Sequence, residues 1–436
     1  MKRSWWSSMM GPDLWSLLLC VMGLGLVLPV VWGSGDGNEE YNWIQTNVPL
    51  VLDRHTAPLH NPDFQGEDSS KASVMCGIEC QSGFPEPGTA DLERLLSYET
   101  VYENGTRTLT EVSLQGLHPI NTSTQTSAIS DQTIRRKRQV YGMDGRFVIT
   151  DKHFATKYPF AASVKLSTGC SGILVSPRHV LTAAHCVHDG QDYLKESKRL
   201  RVGVLKLRSK RRGGGRRGGK RRQKDGMRVK GKEREKRRGK RRKNRPRRSA
   251  KSKQPTMTST ETKQPSFRWT RVKLTQVPKG WIKAVGQNIA VDYNYALLEL
   301  KRPHKMKYMD LGVVPAIKEI PAGRIHFSGF DDDQSGTVVY RFCSVSEESN
   351  HLIYQYCDAE KGSSGAGVYV RLRDPNRKQG ERAKWKRKVI GVFTGHQSVE
   401  VNGRQQDYNV AVRITPLKYA QICHWIHGDP KQCQQV

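Results

Sequence analysis

The chain is poor in acid. Across 436 residues, 41 Asp and Glu face 73 Lys and Arg, a formal charge of +32. Most of the imbalance lies in one stretch: Lys206 to Lys253 carries 27 basic residues and three acidic ones (Asp225, Glu233, Glu235), a net of 27 − 3 = +24. The same stretch is almost free of apolar side chains. It cannot bury enough surface to offset chain entropy, which predicts a long disordered insertion over 206–265. Aromatics are nearly missing among its charges, and that removes the stacking platform a single-stranded nucleic acid needs. The expected partner is an acidic polysaccharide such as heparan sulfate, bound by counterion release, with no specific nucleic acid. Arg245-Pro246-Arg247-Arg248 inside the run offers a second processing site.

Long apolar runs are scarce as well. One extends from Leu14 to Val31, preceded by Lys2 and Arg3, broken by Ser16 and Pro29, and followed by Gly33-Ser34-Gly35. That order predicts a secretory signal peptide over 1–33, hence a secreted, extracellular protein with no stable membrane insertion once it is removed. Nine cysteines less Cys20 of the signal leave eight, an even number suited to disulfides in an oxidising compartment. Cys76-x-x-x-Cys80 lacks nearby His or Cys partners, so no metal site is expected, and nothing in the sequence requires a cofactor. Cys76, Cys80, Cys423 and Cys433 form either two local pairs or a link between leader and C-terminal region. Arg135-Arg136-Lys137-Arg138 reads as a dibasic processing site before Gln139, dividing a leader over 34–138 from a body over 139–436. N-glycosylation sequons begin at Asn104 and Asn121, both in the leader; the body has none.

In the body, short alternating runs recur with turn signals: Ser171 to Val175 and His179 to Thr182 around Ser176-Pro177, then Trp269 to Leu274, Ile289 to Leu300, Arg324 to Phe330, Thr337 to Cys343, Lys388 to Thr394 and Tyr408 to Ile414. This pattern predicts an all-β body of two antiparallel six-stranded barrels. Thr415 as N-cap and Pro416 at the first helical position predict a C-terminal helix over Leu417 to Ile426. Leu181-Thr182-Ala183-Ala184-His185-Cys186 sets a histidine beside a cysteine, with Cys170 sixteen positions upstream. Gly362-Ser363-Ser364-Gly365-Ala366-Gly367 forms a turn before Val368-Tyr369-Val370. Between them lies Asn294-Tyr295-Ala296-Leu297-Leu298.

These three strings, in this order, resemble the histidine, aspartate and serine segments of the chymotrypsin-like (trypsin family) serine proteases. The resemblance implies a twin-barrel fold and His185 as general base. It makes Ser364 the nucleophile and the backbone N–H groups of Gly362 and Ser364 the oxyanion hole. It also implies bridges Cys170–Cys186 and Cys343–Cys357, a peptide or protein substrate, and Asp358, His396 and Asn409 at the specificity pocket. Asp358, six residues before Ser364, stands where the family recognises Arg or Lys; His396 and Asn409 replace the family's small wall residues and narrow the pocket.

What is missing matters most here. The family's triad aspartate is Asn294 in this register, with Asp292 two residues earlier as the alternative carboxylate. An amide holds geometry but selects the wrong imidazole tautomer; in a trypsin-type enzyme that change lowers kcat about 10⁴-fold. The family's aspartate before the nucleophile is Ser363, and the new N-terminus after Arg138 would be Gln139 rather than Ile or Val. Two functions are therefore expected as rivals: a serine endopeptidase of weak or absent activity, or a non-catalytic homologue that binds extracellular polyanions or a protein partner.

Overall fold

A computed structural model describes residues 46–60, 64–66, 77–78, 81, 87–117, 143–206, 266–282, 289–314, 324–373, 385–401 and 403–436. The signal segment, the stretch around Arg138 and Gln139, Asn121, Cys76, Cys80 and nearly all of the basic insertion lie outside the described residues.

Among the described residues, seventeen strands fall into two sheets. The first contains β1 (Leu50–Leu59), β2 (Tyr98–Tyr102), β3 (Arg107–Gln115), β5 (Ser163–Leu166), β6 (Ser171–Leu174), β7 (His179–Thr182), β8 (Arg201–Lys206), β9 (Ser266–Pro278) and β10 (Ala296–Leu300). The second contains β4 (Phe147–Ile149), β11 (Asp310–Leu311), β12 (Arg324–Gly329), β13 (Val338–Glu348), β14 (Leu352–Gln355), β15 (Gly367–Arg373), β16 (Trp385–Val401) and β17 (Arg404–Arg413). In the first sheet the order β9-β10-β7-β6-β5-β8 returns to β9, and in the second β16-β15-β12-β13-β14-β17 returns to β16. Each sheet thus closes into a six-stranded barrel; in the first, β8 covers one side of β9 only from Ser266 to Arg271. The two barrels and the C-terminal helix are the body the alternating runs predict.

The helix, Pro416–His427, starts at Thr415, whose side chain accepts from the Lys418 N–H, and stops at left-handed Gly428. One predicted strand is corrected. Ile289–Asp292 is a helical turn, and the strand begins only at Ala296. Turn bonds from Tyr293 N–H to the Ala290 carbonyl and from Asn294 N–H to the Val291 carbonyl, both 3.1 Å, hold it. Apolar alternation over a few residues does not separate a strand from one helical turn.

Segments on the amino-terminal side of Arg138, expected as a leader, are built into the barrel sheet. β2 pairs with the second half of β9, from Tyr98↔Pro278 to Tyr102↔Leu274, and β3 and β1 follow outward. Val51, Leu96, Tyr98 and Val112 share one buried cluster with Tyr295, Leu297, Val410 and Trp425 of the body. Tyr98 packs edge-on against Trp425, with ring centroids 5.2 Å apart. The amide of Gln421 donates to the Leu96 carbonyl and accepts from the Tyr295 hydroxyl. Asn104 sits exposed at the β2–β3 turn, its side chain accepting from the Thr106 N–H.

Candidate active site

The β6–β7 hairpin carries the histidine. Ser176 fixes its turn by accepting from the backbone N–H groups of Arg178 and His179, each at 3.1 Å. After β7 a 3-10 turn over Ala184–Cys186 lifts His185 to the barrel mouth, and the Cys170–Cys186 disulfide ties that turn to the start of β6. The register Ala296↔Thr182 and Leu297↔Leu181 then carries Asn294, just before β10, to the imidazole.

Asn294 is buried and makes three contacts with His185. Its Oδ1 accepts from the His185 backbone N–H at 3.0 Å, and its Nδ2 lies 3.0 Å from the ring Nδ1. Oδ1 is also 3.2 Å from Nδ1. The backbone N–H can only donate, so it fixes Oδ1 on its side of the amide. The shorter of the two ring contacts comes from Nδ2, which can only donate, and in it Nδ1 accepts; in the 3.2 Å contact with Oδ1 an Nδ1 proton would donate instead. The tautomer that satisfies the shorter contact carries its proton on Nε2, the nitrogen that a general base needs free. Asp292 does not supply the missing carboxylate. It faces the buried Lys418 from the helical turn; burial raises its carboxyl and lowers the Lys418 ammonium, each partly offset by the other's charge.

The serine turn rests on the first barrel. Ser171 N–H donates to the Ser364 carbonyl at 2.8 Å, and Gly365 N–H to the Phe393 carbonyl at 2.7 Å. Gly365 has φ +85, and a Cβ there would stand 2.2 Å from Thr182 Oγ1, so only glycine permits this approach. The disulfide sulfur of Cys186 lies 3.8 Å from His185 Nε2 and 3.7 Å from the Ser364 carbonyl oxygen, so both segments converge on the bridge. The turn's own hydrogen bonds use the amides of Ser363, Gly365 and Ala366, not those of Gly362 and Ser364, the oxyanion-hole pair. Ligand atoms of Cys170, His185 and Cys186 lie within 4.8 Å of one another, but the two sulfurs are bonded together and offer no thiolate to a metal.

A charged network missed by the sequence reading lies behind the turn. Asp331 is fully buried and accepts from Arg341 Nη2 at 2.5 Å, from Arg146 Nη1 at 3.0 Å and from the Glu360 backbone N–H at 3.2 Å. Glu360 in turn accepts from both the backbone N–H and the hydroxyl of Ser363, at 3.1 and 2.6 Å. This chain of contacts orders the loop before Ser364 without a new N-terminus. The signal available in the sequence was Asp331-Asp332-Asp333 directly after an apolar strand.

The pocket residues are turned to other tasks. Asp358 Oδ2 accepts from the Gly145 backbone N–H at 2.6 Å, across a sequence separation of 213 residues. Asn409 donates to the Cys357 carbonyl at 2.7 Å and is paired in register with His396, whose ring lies 3.7 Å from Asp407. Gly145 thus sits against Asp358, the carboxylate expected at the specificity pocket. Cys343 bridges Cys357, and Cys423 bridges Cys433, which settles that half of the open cysteine pairing.

Comparison with known proteins agrees with this geometry. The family model described as Trypsin matches residues 148–235. Inactive serine protease 35 of Mus musculus is 53% identical over 405 residues, covering 92% of this chain and 96% of that one. The protein of the same name from Bos taurus is 54% identical, covering 98% and 100%. Serine protease 23 of Homo sapiens is 45% identical, covering 96% of each.

Proposed function

Because this chain belongs to the trypsin-type family of inactive serine protease 35 and serine protease 23, we propose that it is a secreted protease homologue that hydrolyses peptides very slowly or not at all. One observation carries this reading: the side chain against Nδ1 of His185 is the amide of Asn294, and its shorter contact, from Nδ2, is satisfied by the tautomer with the proton on Nε2. A serine hydroxyl is a poor nucleophile unless a neighbouring base takes its proton. In that tautomer the base is protonated on the wrong side, and the group behind it is an amide rather than a carboxylate able to stabilise an imidazolium. The Asp358–Gly145 contact supports the same conclusion, because a substrate's basic side chain would have to displace it. Three disulfides and the amino-terminal pattern support an extracellular location. The purified chain, cut after Arg138 and given a mixed fluorogenic peptide pool, should turn over no faster than its Ser364→Ala variant. Turnover that Ser364→Ala abolishes would sink this reading.

A second reading rests on where the basic insertion is mounted. Lys206 and Ser266 are cross-strand partners at the end of β8 and β9, so the insertion leaves and re-enters the first barrel at one hairpin mouth. Carrying +24 between Lys206 and Lys253, it would hold sulfated polysaccharide electrostatically. Deletion of 207–265 should move elution from immobilised heparin to clearly lower salt; unchanged elution removes this role.

A further inference from the structure

The outer face of the second barrel carries three arginines in one row. Arg371 on β15 is directly opposite Arg387 on β16. His326 on β12 is paired with Tyr369 on β15, and two residues along antiparallel strands from that pair bring Arg324 beside Arg371. Neighbouring strands are about 4.8 Å apart, so the row crosses three strands in roughly 10 Å. Like charges directly opposite on a sheet are destabilising. Among the described residues none of the three has a carboxylate partner. Each is instead laid over an aromatic ring: Arg324 over Phe342 at 5.5 Å, Arg371 over Trp385 at 3.9 Å and Arg387 over Tyr158 at 5.6 Å.

A stack of rings forms the floor between them. His326 lies flat against Tyr340 and Tyr369, with centroids 6.1 and 5.5 Å apart, and its Nδ1 is hydrogen-bonded to the Tyr340 hydroxyl at 2.8 Å. Burial, joined by the field of Arg371, Arg387 and Arg324, pushes this imidazole down to about 4, so all three guanidinium groups act on one point of the surface. Arg324, Arg371, Phe342 and Trp385 are exposed.

We propose that this face binds a sulfated polysaccharide, as a second anion site independent of the basic insertion. The aromatic mounts hold each guanidinium fork flat and limit its freedom, so less entropy is lost when it pairs bidentately with an oxyanion. A polymer with repeated sulfates matches a row of three cations better than one compact ion does. The parts of Phe342 and Trp385 that stay exposed beside their guanidinium groups offer apolar contact to sugar rings. An anion on the row also offsets the repulsion between Arg371 and Arg387.

Arginine-selective footprinting of the intact chain with hydroxyphenylglyoxal, read by peptide mass spectrometry, tests each position separately. A heparin-derived hexasaccharide should slow modification of Arg324, Arg371 and Arg387 at least fivefold while leaving exposed Arg268 and Arg404 nearly unchanged. Inorganic sulfate at equal sulfate concentration should protect far less. In the Arg371→Gln/Arg387→Gln variant, protection of Arg324 should disappear with the melting temperature unchanged or higher. The Arg371→Lys/Arg387→Lys variant should recover part of it. Protection confined to the arginines of 208–248 overturns the proposal and leaves the insertion's own binding standing. Equal protection by free sulfate, or protection by a dT12 oligonucleotide but not the hexasaccharide, also overturns it. A lower melting temperature in the Gln variant with Arg324 still protected would mean that the arginines serve the fold alone.

Discussion

Asn294→Asp should restore nucleophilic reactivity to Ser364, and the structure sets the scale. The amide Nδ2 lies 3.0 Å from His185 Nδ1, so a carboxylate oxygen in its place would accept the Nδ1 proton and free Nε2. Opposite unit charges at that distance attract by about 5 kcal/mol at an effective dielectric of about 20. That corresponds to roughly 10³–10⁴ in rate if it is realised only when the imidazolium forms. Two effects oppose it: the site is buried, and Asp292 stands two residues away with its carboxyl already raised by burial. A gain of about 10³ is therefore expected. The assay is the second-order rate of labelling of Ser364 by a small alkyl fluorophosphonate, which needs the serine, the histidine and the oxyanion amides but not Asp358, bonded here to the Gly145 N–H. His185→Ala in the Asn294→Asp background should abolish the label. A rise below tenfold in folded protein with its disulfides verified would refute the tautomer argument.

Further outcomes follow from buried charge and from the leader. Asp331→Asn leaves Arg341 and Arg146 without their shared carboxylate and should cost about 3–5 kcal/mol in urea unfolding; a loss under 1 kcal/mol would show that the network is not needed. Burial pushes His179 and His326 down to about 4 and His351 down to about 3. These folded values lie below the ordinary 6.5, so the unfolded chain binds more protons, and stability complete above pH 6.5 is lost as pH falls towards 4. His351→Phe should make that decline shallower by about 1.4 kcal/mol per pH unit between pH 6 and 4; identical profiles would refute the assignment. After cleavage at Arg138 the leader should co-elute with the body in native gel filtration, because its strands extend the barrel sheet; a leader eluting separately would refute this.

The catalytic strings were legible because each is contiguous. His185 with its cysteine, the glycine turn around Ser364, and the apolar triplet after Asn294 are each short segments whose spacing carries the geometry. The barrels and the terminal helix followed from alternation, turns and the Thr415-Pro416 cap. What stayed hidden depends on which distant strands meet. Alternation says that β2 and β9 have a buried face but not that they pair, and no local feature tells Asp358 that its partner is Gly145. Asp331 was hidden for the same reason, since its cations come from Arg146 and Arg341, on either side of it in the chain. The turn at Ile289–Asp292 failed differently: four residues of mixed polarity fit either backbone state, and the choice is made by burial against Lys418.

The pairing of Tyr98 with Pro278 spans 180 residues of chain. At a synthesis rate of about 5–20 residues per second, β2 leaves the ribosome roughly 10–40 s before its partner exists. During that interval its backbone edge and the side chains of Leu96 and Tyr98 have nothing to cover them, so nascent chains are open to capture by one another or by a chaperone. Expression of 139–436 alone reverses the problem and leaves the β9 backbone from Leu274 to Pro278 without its β2 partner.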